Sequence, residues 1–313
     1  MDTATVARFE ASRNRLASLA YRLLGSAADA EDTVQDAFLR WQAADQEYIE
    51  VPEAWLTKIV TNLALDRLRS ARTRRERAVG AWMPEPLLDS DPMLGPADTV
   101  EQRESVTLAV LTLMERLSPV ERAVYVLREA FAYSHAEIAE FLGITEAGSQ
   151  QHAHRARHRI GAAGDGADID RAAARRIVEA FVDAASSGRT ERLVALLTDD
   201  ATGISDGAGL RSTGKPIRYP NPQRIAAAMR AGFAPSPAKR RLAGGSPAIH
   251  AAVVNGSPAI LATLEGRVVG AVILEMRGDR IAGVRGIATA ARLDRLAAQW
   301  QRQEHDLPLI ESW

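Results

Sequence analysis

Apolar residues recur at helical spacing through the first half of the chain. Val6, Phe9, Leu16, Leu19, Ala20, Leu23 and Leu24 fall on one side of a helix over 6–24, and Gly25 ends it. Ser26, with Asp29 in the capping-box position, predicts a second helix from Ala27 to about Trp41. It turns Ala30, Val34, Ala37, Phe38 and Trp41 inward, and Asp32, Gln35 and Asp36 outward. A third helix from Pro52 to Arg77 carries an apolar stripe of Trp55, Leu56, Ile59, Val60, Leu63 and Ala64. Its other face carries Thr57, Lys58, Thr61, Asn62, Asp66 and Arg69.

The texture then changes. Trp82-Met83-Pro84-Glu85-Pro86-Leu87, followed by Asp89, Asp91, Pro92, Gly95 and Pro96, cannot hold a long helix and reads as a linker with an apolar anchor. Helicity resumes near Asp98 and runs to Leu117. Ser118-Pro119-Val120-Glu121 and Ser134-His135-Ala136-Glu137 are both helix-start boxes. After the second, a break at Gly143-Ile144-Thr145 opens a helix from Glu146 to about Ile160. Two short helices around a glycine turn form a helix-turn-helix outline, which many unrelated helical hairpins share. After Gly161–Gly166 come three predicted helices. From Ile249 the period falls to two, and turns at Asn255-Gly256, Glu265-Gly266 and Gly278-Asp279 predict an antiparallel meander. A final helix holds Leu293, Leu296 and Trp300. The expected domains are 1–77, a linker over 78–101, 102–162, a short joint over 163–168, and an α+β domain over 169–313.

Charge refines this picture. The formal net charge is only −1, but it is segregated. Acids dominate from Asp29 to Glu53. Bases dominate from Lys58 to Arg77, and from Arg67 onward Arg67, Arg69, Arg72, Arg74, Arg75 and Arg77 face the single acid Glu76. Guanidinium groups suit phosphates and short polar side chains can reach bases, although a solvated basic helix end has the same composition. The helix after Thr145 offers Ser149, Gln150, Gln151, His154, Arg155, Arg157 and His158 as donors. With no cysteine there is no disulfide framework, thiolate metal site or cysteine nucleophile. The N-terminus lacks a signal pattern and no apolar run would span a bilayer, so a cytoplasmic protein without membrane contact is expected.

Specific words in the chain resemble the extracytoplasmic-function RNA polymerase sigma factors of the sigma-70 family. Ala28-Asp29-Ala30-Glu31-Asp32-Thr33-Val34-Gln35-Asp36-Ala37-Phe38-Leu39-Arg40 resembles the family's region 2 core-binding helix. Ala54-Trp55-Leu56, Asn62-Leu63-Ala64-Leu65-Asp66 and Leu68-Arg69 resemble its promoter-melting segment, and Leu117-Ser118-Pro119, Glu121-Arg122 and Arg155-Ala156-Arg157 resemble region 4. The Trp82–Leu87 phrase differs by one residue from one typical of the SigJ-like subgroup, which carries a fused C-terminal SnoaL-like domain. The resemblance implies two all-α modules, the second a helix-turn-helix, followed by an α+β SnoaL-like cone with a curved antiparallel sheet.

It also implies roles. Core polymerase would be held through Asp32, Gln35, Asp36 and Phe38. Lys58, Asn62, Asp66, Arg69, Arg72, Arg74 and Arg75 would capture minus-ten DNA, and the donors from Ser149 to His158 would read minus-thirty-five DNA. Trp82, Met83, Pro84, Leu87 and Asp206 would make contacts between domains, letting the tail modulate activity in cis. The chain departs from the family at Ser149-Gln150, where relatives commonly carry an apolar residue followed by arginine. It also lacks the subgroup's Asn-Pro-Asp-Lys phrase, reading Ile287-Ala288-Thr289-Ala290-Ala291-Arg292 there.

No phosphate loop, zinc-protease motif or Ser/His/Asp set occurs, so no catalytic residue, metal or cofactor is implied. His152, His154 and His158 lie beside arginines and read as DNA-facing rather than as ligands. The cone fold often encloses a pocket and sometimes catalyses ring closure. Asp206, Arg218, Tyr219, His250 and Arg285 are the residues expected to line it. An unidentified small ligand there is the partner left open beside core RNA polymerase and promoter DNA. Two rival functions remain: a cyclase- or hydrolase-type enzyme tethered to DNA, and a one-component ligand-responsive regulator.

Overall fold

The computed structural model describes residues 3–75, 83–95, 105–161, 169–208 and 216–313. The chain divides into two compact units, 1–79 with 90–163 and 80–89 with 164–313.

In the first unit the helix starts are set by side-chain caps. Ser26 accepts from the Asp29 N–H, and complete capping boxes form at Ser118/Glu121 and Ser134/Glu137. The helices are α1 (Thr3–Leu24), α2 (Ala27–Ala43), α3 (Pro52–Arg75), α4 (Leu108–Leu113), α5 (Pro119–Tyr125), α6 (His135–Leu142) and α7 (Glu146–Ile160). α5 runs on through one π-helical turn, Val126–Ala130. Gly143, left-handed at φ 65°, ends α6 where an L side chain would be strained, and Thr145 caps α7. Trp41 is fully buried and its indole N–H donates to the Thr5 carbonyl at 2.9 Å. Burial of each such side chain contributes roughly 1.5–3 kcal/mol.

α3 is the central helix, flanked by α1 and α2 on one side and by α5 and α6 on the other. Its polar face is therefore only partly open. Thr57 and Thr61, expected to point outward, are buried. Arg15 donates to the Thr57 hydroxyl at 3.1 Å and to the Tyr133 hydroxyl at 2.7 Å, joining the first three helices to the later ones. Arg22 and Arg122, both 2% exposed, tie the same halves together. Arg22 donates to Ser105 Oγ at 2.9 Å, and Arg122 to the Leu23 carbonyl at 2.7 Å. Burial lowers the Arg22 pKa to about 10, so it stays charged at neutral pH.

The second unit is a six-stranded sheet in the order β2-β1-β6-β5-β4-β3. The strands are β1 (Leu197–Ser205), β2 (Ile217–Tyr219), β3 (Ala248–Val254), β4 (Ser257–Leu264), β5 (Arg267–Arg277) and β6 (Arg280–Ile287). The meander turns fall where expected, with positive φ at Asn255-Gly256 and Glu265-Gly266, the geometry a two-residue hairpin requires. The expected all-antiparallel sheet is corrected to a mixed one, because β1 pairs with β6 in parallel. Helices α10 (Pro222–Phe233) and α11 (Pro237–Ala243) separate β1 and β2 from the meander, and so long a connection allows β1 to lie parallel to a neighbour.

Helices α8 (Arg171–Ser186), α9 (Thr190–Leu196) and α10 pack on one sheet face around Phe181, Leu193, Ile225, Ile260 and Leu274. α12 (Ala290–Trp300) lies against β5. The outer edge of β3 is covered at both ends. Ile249 bridges to Ile310 of the C-terminal segment, and Val254 bridges to Leu88. Covering the edge removes the unpaired N–H and C=O groups that invite association.

Candidate nucleic-acid interface

α2 presents its acids in one row. Asp29, Asp32 and Asp36 converge on Arg67 of α3 at 3.9, 3.8 and 2.8 Å. Asp32 remains largely exposed and Gln35 is exposed beside it. Phe38 is half-buried and its ring packs tilted against Phe9 with centroids 4.9 Å apart, so α2 offers Leu39, 55% exposed, as its open apolar surface. Leu39 directly follows Phe38, and its exposure is a tertiary fact that the apolar spacing of α2 does not reveal.

On α3, Lys58 and Asn62 are partly exposed and Asp66 and Arg69 are exposed, the last two joined at 3.2 Å. Steps of four, four and three residues put Lys58, Asn62, Asp66 and Arg69 along a single strip of the helix. Arg72, Arg74 and Arg75 continue the helix, but their side chains lie outside the described residues, as does all of Arg77.

α7 exposes Gln150, Gln151, His154, Arg155, Arg157 and His158. Ser149 corrects the expectation: it is fully buried and its hydroxyl bonds to His135 Nδ1 at 2.9 Å. Ser149, Ala153, Ala156 and Ile160 form the inward stripe of α7, and that 4-3-4 spacing was available in the sequence. Glu121, almost fully buried, accepts from Arg155 at 3.1 Å and Arg159 at 2.6 Å. Burial works to raise its carboxyl pKa, but the Ser118 hydrogen bonds and the two arginines outweigh this and hold it below the ordinary value. Arg157 is held by Glu129 at 2.7 Å. The guanidinium groups are thus positioned and still about half exposed.

In the second unit Leu87 forms two backbone-level bonds with the β3–β4 turn. Its N–H donates to Asn255 Oδ1 at 2.8 Å, and its carbonyl accepts from Asn255 N at 2.9 Å. Met83 and Pro84 are buried, while Trp82 lies outside the described residues. Asp206, expected to reach between domains, is spent inside its own unit. Its carboxylate accepts from the N–H groups of Ala288 at 2.9 Å, Thr289 at 2.8 Å and Ala208 at 3.1 Å. Burial pushes its pKa up, but those N–H groups win and keep it below the ordinary carboxylate value. A depressed folded pKa means stability that is present above the unfolded value of about 3.9 and is lost as pH falls through the folded one. Asp206→Asn is therefore expected to cost about 1–3 kcal/mol at neutral pH. It should also flatten the acid limb of stability below about pH 4 in urea melts at stepped pH.

The described pocket, about 380 Å³, is lined by Lys239, Arg267, Val268, Ala288, Leu293 and Trp313 among others. None of the expected lining residues is on this wall, although Asp206 accepts from the N–H groups of Ala208 and Ala288, which are. Asp206 is bonded as above, Arg285 pairs with Glu275, and His250 packs against Trp300 and His305. Arg218 and Tyr219 are also absent from the pocket wall.

Comparison with known proteins fits this arrangement. Residues 8–74 match the family description Sigma-70 region 2, and residues 107–160 match Sigma-70, region 4. The chain is 42% identical over 210 residues to the ECF RNA polymerase sigma factor SigJ of Mycobacterium tuberculosis, covering 66% of this chain and 67% of that protein. It is 31% identical over 298 residues to the probable ECF RNA polymerase sigma factor SigI of the same organism, covering 94% and 96%. The chain belongs to the ECF RNA polymerase sigma factor family. A crystal structure of the M. tuberculosis sigma factor SigJ superposes with TM-score 0.68 at 30% identity, over 93% of this chain and 98% of that one. The match extends through the α+β unit as well as the helical one. Members of this sigma factor family are initiation factors rather than enzymes, and the helical half of the chain is made of its two DNA-handling regions. Among the described residues no helix is long and apolar enough to cross a membrane.

Proposed function

We propose that the acidic row of α2, with Leu39, binds core RNA polymerase in the cytoplasm, that the Lys58–Arg69 strip of α3 captures minus-ten DNA, and that α7 reads minus-thirty-five DNA. A base leaving the stack costs a few kcal/mol, and hydrogen bonds from Asn62, Asp66 and Arg69 would offset that cost. Arg155, Arg157 and His158 supply phosphate contacts, which makes binding salt-dependent.

The C-terminal unit modulates this work in cis. The observation that supports this is the pairing of Leu87 and Leu88 with the β3–β4 hairpin, because residues 83–89 lie in the stretch that joins the two sigma regions. Fixing that stretch limits how far the regions can separate. A small ligand that altered the hairpin would change the same restraint.

Two variants test the idea. Deletion after Gly166 removes the sheet. Asn255→Gly keeps the positive φ of the turn but removes the Oδ1 acceptor. Both are expected to change transcript yield from a cognate promoter severalfold while core binding persists. Unchanged yield from both variants would remove the regulatory role.

A further inference from the structure

The two layers of the C-terminal unit treat charge differently. On the sheet side arginines meet acids: Arg277 with Asp200 at 2.9 Å, Arg280 with Asp199 at 3.0 Å, Arg267 with Asp294 at 3.1 Å, and Arg285 with Glu275. The helical layer does not balance itself. Helices α8 to α11, with their charged N-cap residues Asp170 and Arg189, hold ten basic residues against four acids, a formal +6. Glu179 is matched to Arg175 at 2.8 Å. Arg189, Arg192, Arg224 and Arg230 are exposed, and among the described residues none of them pairs with a carboxylate.

Three of these guanidinium groups are gathered at one corner. Arg189 and Arg192 are three residues apart at the start of α9 and so share a side of it. Arg230, in the last turn of α10, donates to the Gly188 carbonyl at 3.4 Å, which places it beside them. Glu191, the acid within this corner, accepts from the Thr190 hydroxyl. Like charges on neighbouring residues repel, and no carboxylate among the described residues pairs with them. They suit an external polyanion.

We infer that the α8–α10 side of the C-terminal unit grips the phosphate backbone of duplex DNA flanking the promoter elements. The inference rests on the sigma-factor reading above. The surface composition selects among polyanions. The exposed large apolar residues among those described are Leu39, Tyr48, Val51 and Leu307; none belongs to α8–α10, and only Leu307, whose carbonyl accepts from Arg175, lies beside them. A membrane surface calls for apolar residues to insert beside the bases, and single-stranded nucleic acid calls for aromatic rings to stack on. Ala, Thr and Gln between arginines suit a duplex backbone, recognised by charge and not by sequence.

The test uses holoenzyme assembled from the full chain and core polymerase, with R189Q/R192Q/R224Q/R230Q as the variant. Binding is measured against salt on a cognate promoter duplex and on a scrambled duplex of equal length. Each lost phosphate contact removes about 0.9 from the slope of log K against log salt. Loss of all four contacts is expected to make the variant shallower by about 3.6 on both duplexes, with its melting temperature and core binding unchanged. An unchanged slope overturns the inference. So does a variant that loses affinity for phosphatidylglycerol vesicles while its DNA slope stays put. Wild-type holoenzyme that binds neither duplex would instead overturn the sigma-factor reading itself.

Discussion

Replacing Asn62, Asp66 and Arg69 together by alanine is expected to abolish most promoter opening while leaving assembly with core polymerase intact. All three side chains lie on the strip of α3 away from the core, and Asp66 and Arg69 are exposed. Their removal should change stability by less than about 1 kcal/mol, since the Asp66–Arg69 pair is solvated. The functional loss is larger. Unstacked bases are held only by what the protein offers them, and hydrogen bonds to a base edge discriminate by roughly 1–3 kcal/mol each. A combined loss near 3 kcal/mol corresponds to about a hundredfold drop in open complex. Permanganate reactivity of minus-ten thymines reads the opening, and co-elution with core reads assembly. Equal loss in both assays would show that α3 serves the fold or the polymerase rather than the DNA.

The second large effect is structural. Arg122→Ala is expected to destabilise the helical unit by roughly 3–5 kcal/mol, the usual cost of breaking a buried ionic network. The Arg122 guanidinium donates to the carbonyls of Leu23 and Met114 and to Glu115 Oε1 at 2.8 Å. Truncation strands those acceptors and opens a cavity between α1 and α5. Arg122→Met fills the space but satisfies no carbonyl, so it should recover only part of the loss. Urea melts followed by circular dichroism compare the three proteins. A loss below about 1 kcal/mol for alanine would mean that water satisfies these groups and that the two sigma regions are joined some other way.

Much of the fold was legible because its signals are local. Ser118, Ser134 and Thr145 announced helix starts through hydrogen bonds three residues long, and Asn255-Gly256 and Glu265-Gly266 announced hairpins through backbone sign. What failed was long-range. The parallel pairing of β1 with β6 depends on where a crossover returns, which no spacing near β1 reveals. Thr57 and Thr61 look solvent-facing until a second set of helices covers α3, and α3 being central is a tertiary fact. Asp206 was expected to make contacts between domains because the resemblance to the subgroup implied them, and nothing near it in the chain pointed to other partners. Its actual partners, Ala288 and Thr289, lie 82 and 83 residues downstream. Ser149 is different, since its place in the inward stripe of α7 was readable and was outweighed by its donor chemistry.

Family words in the sequence carried the functional assignment, and the geometry adds which side chains are free to act. Gln150, Gln151, His154 and His158 remain open on α7, while Arg155 and Arg157 are pre-oriented by Glu121 and Glu129. The measurement that bears most directly on the whole account is run-off transcription with purified core polymerase on a genomic fragment library. Transcripts with defined 5′ ends that appear only when this chain is added are the expected result. A chain that never co-elutes with core, or that joins it and starts no RNA anywhere, would contradict the account.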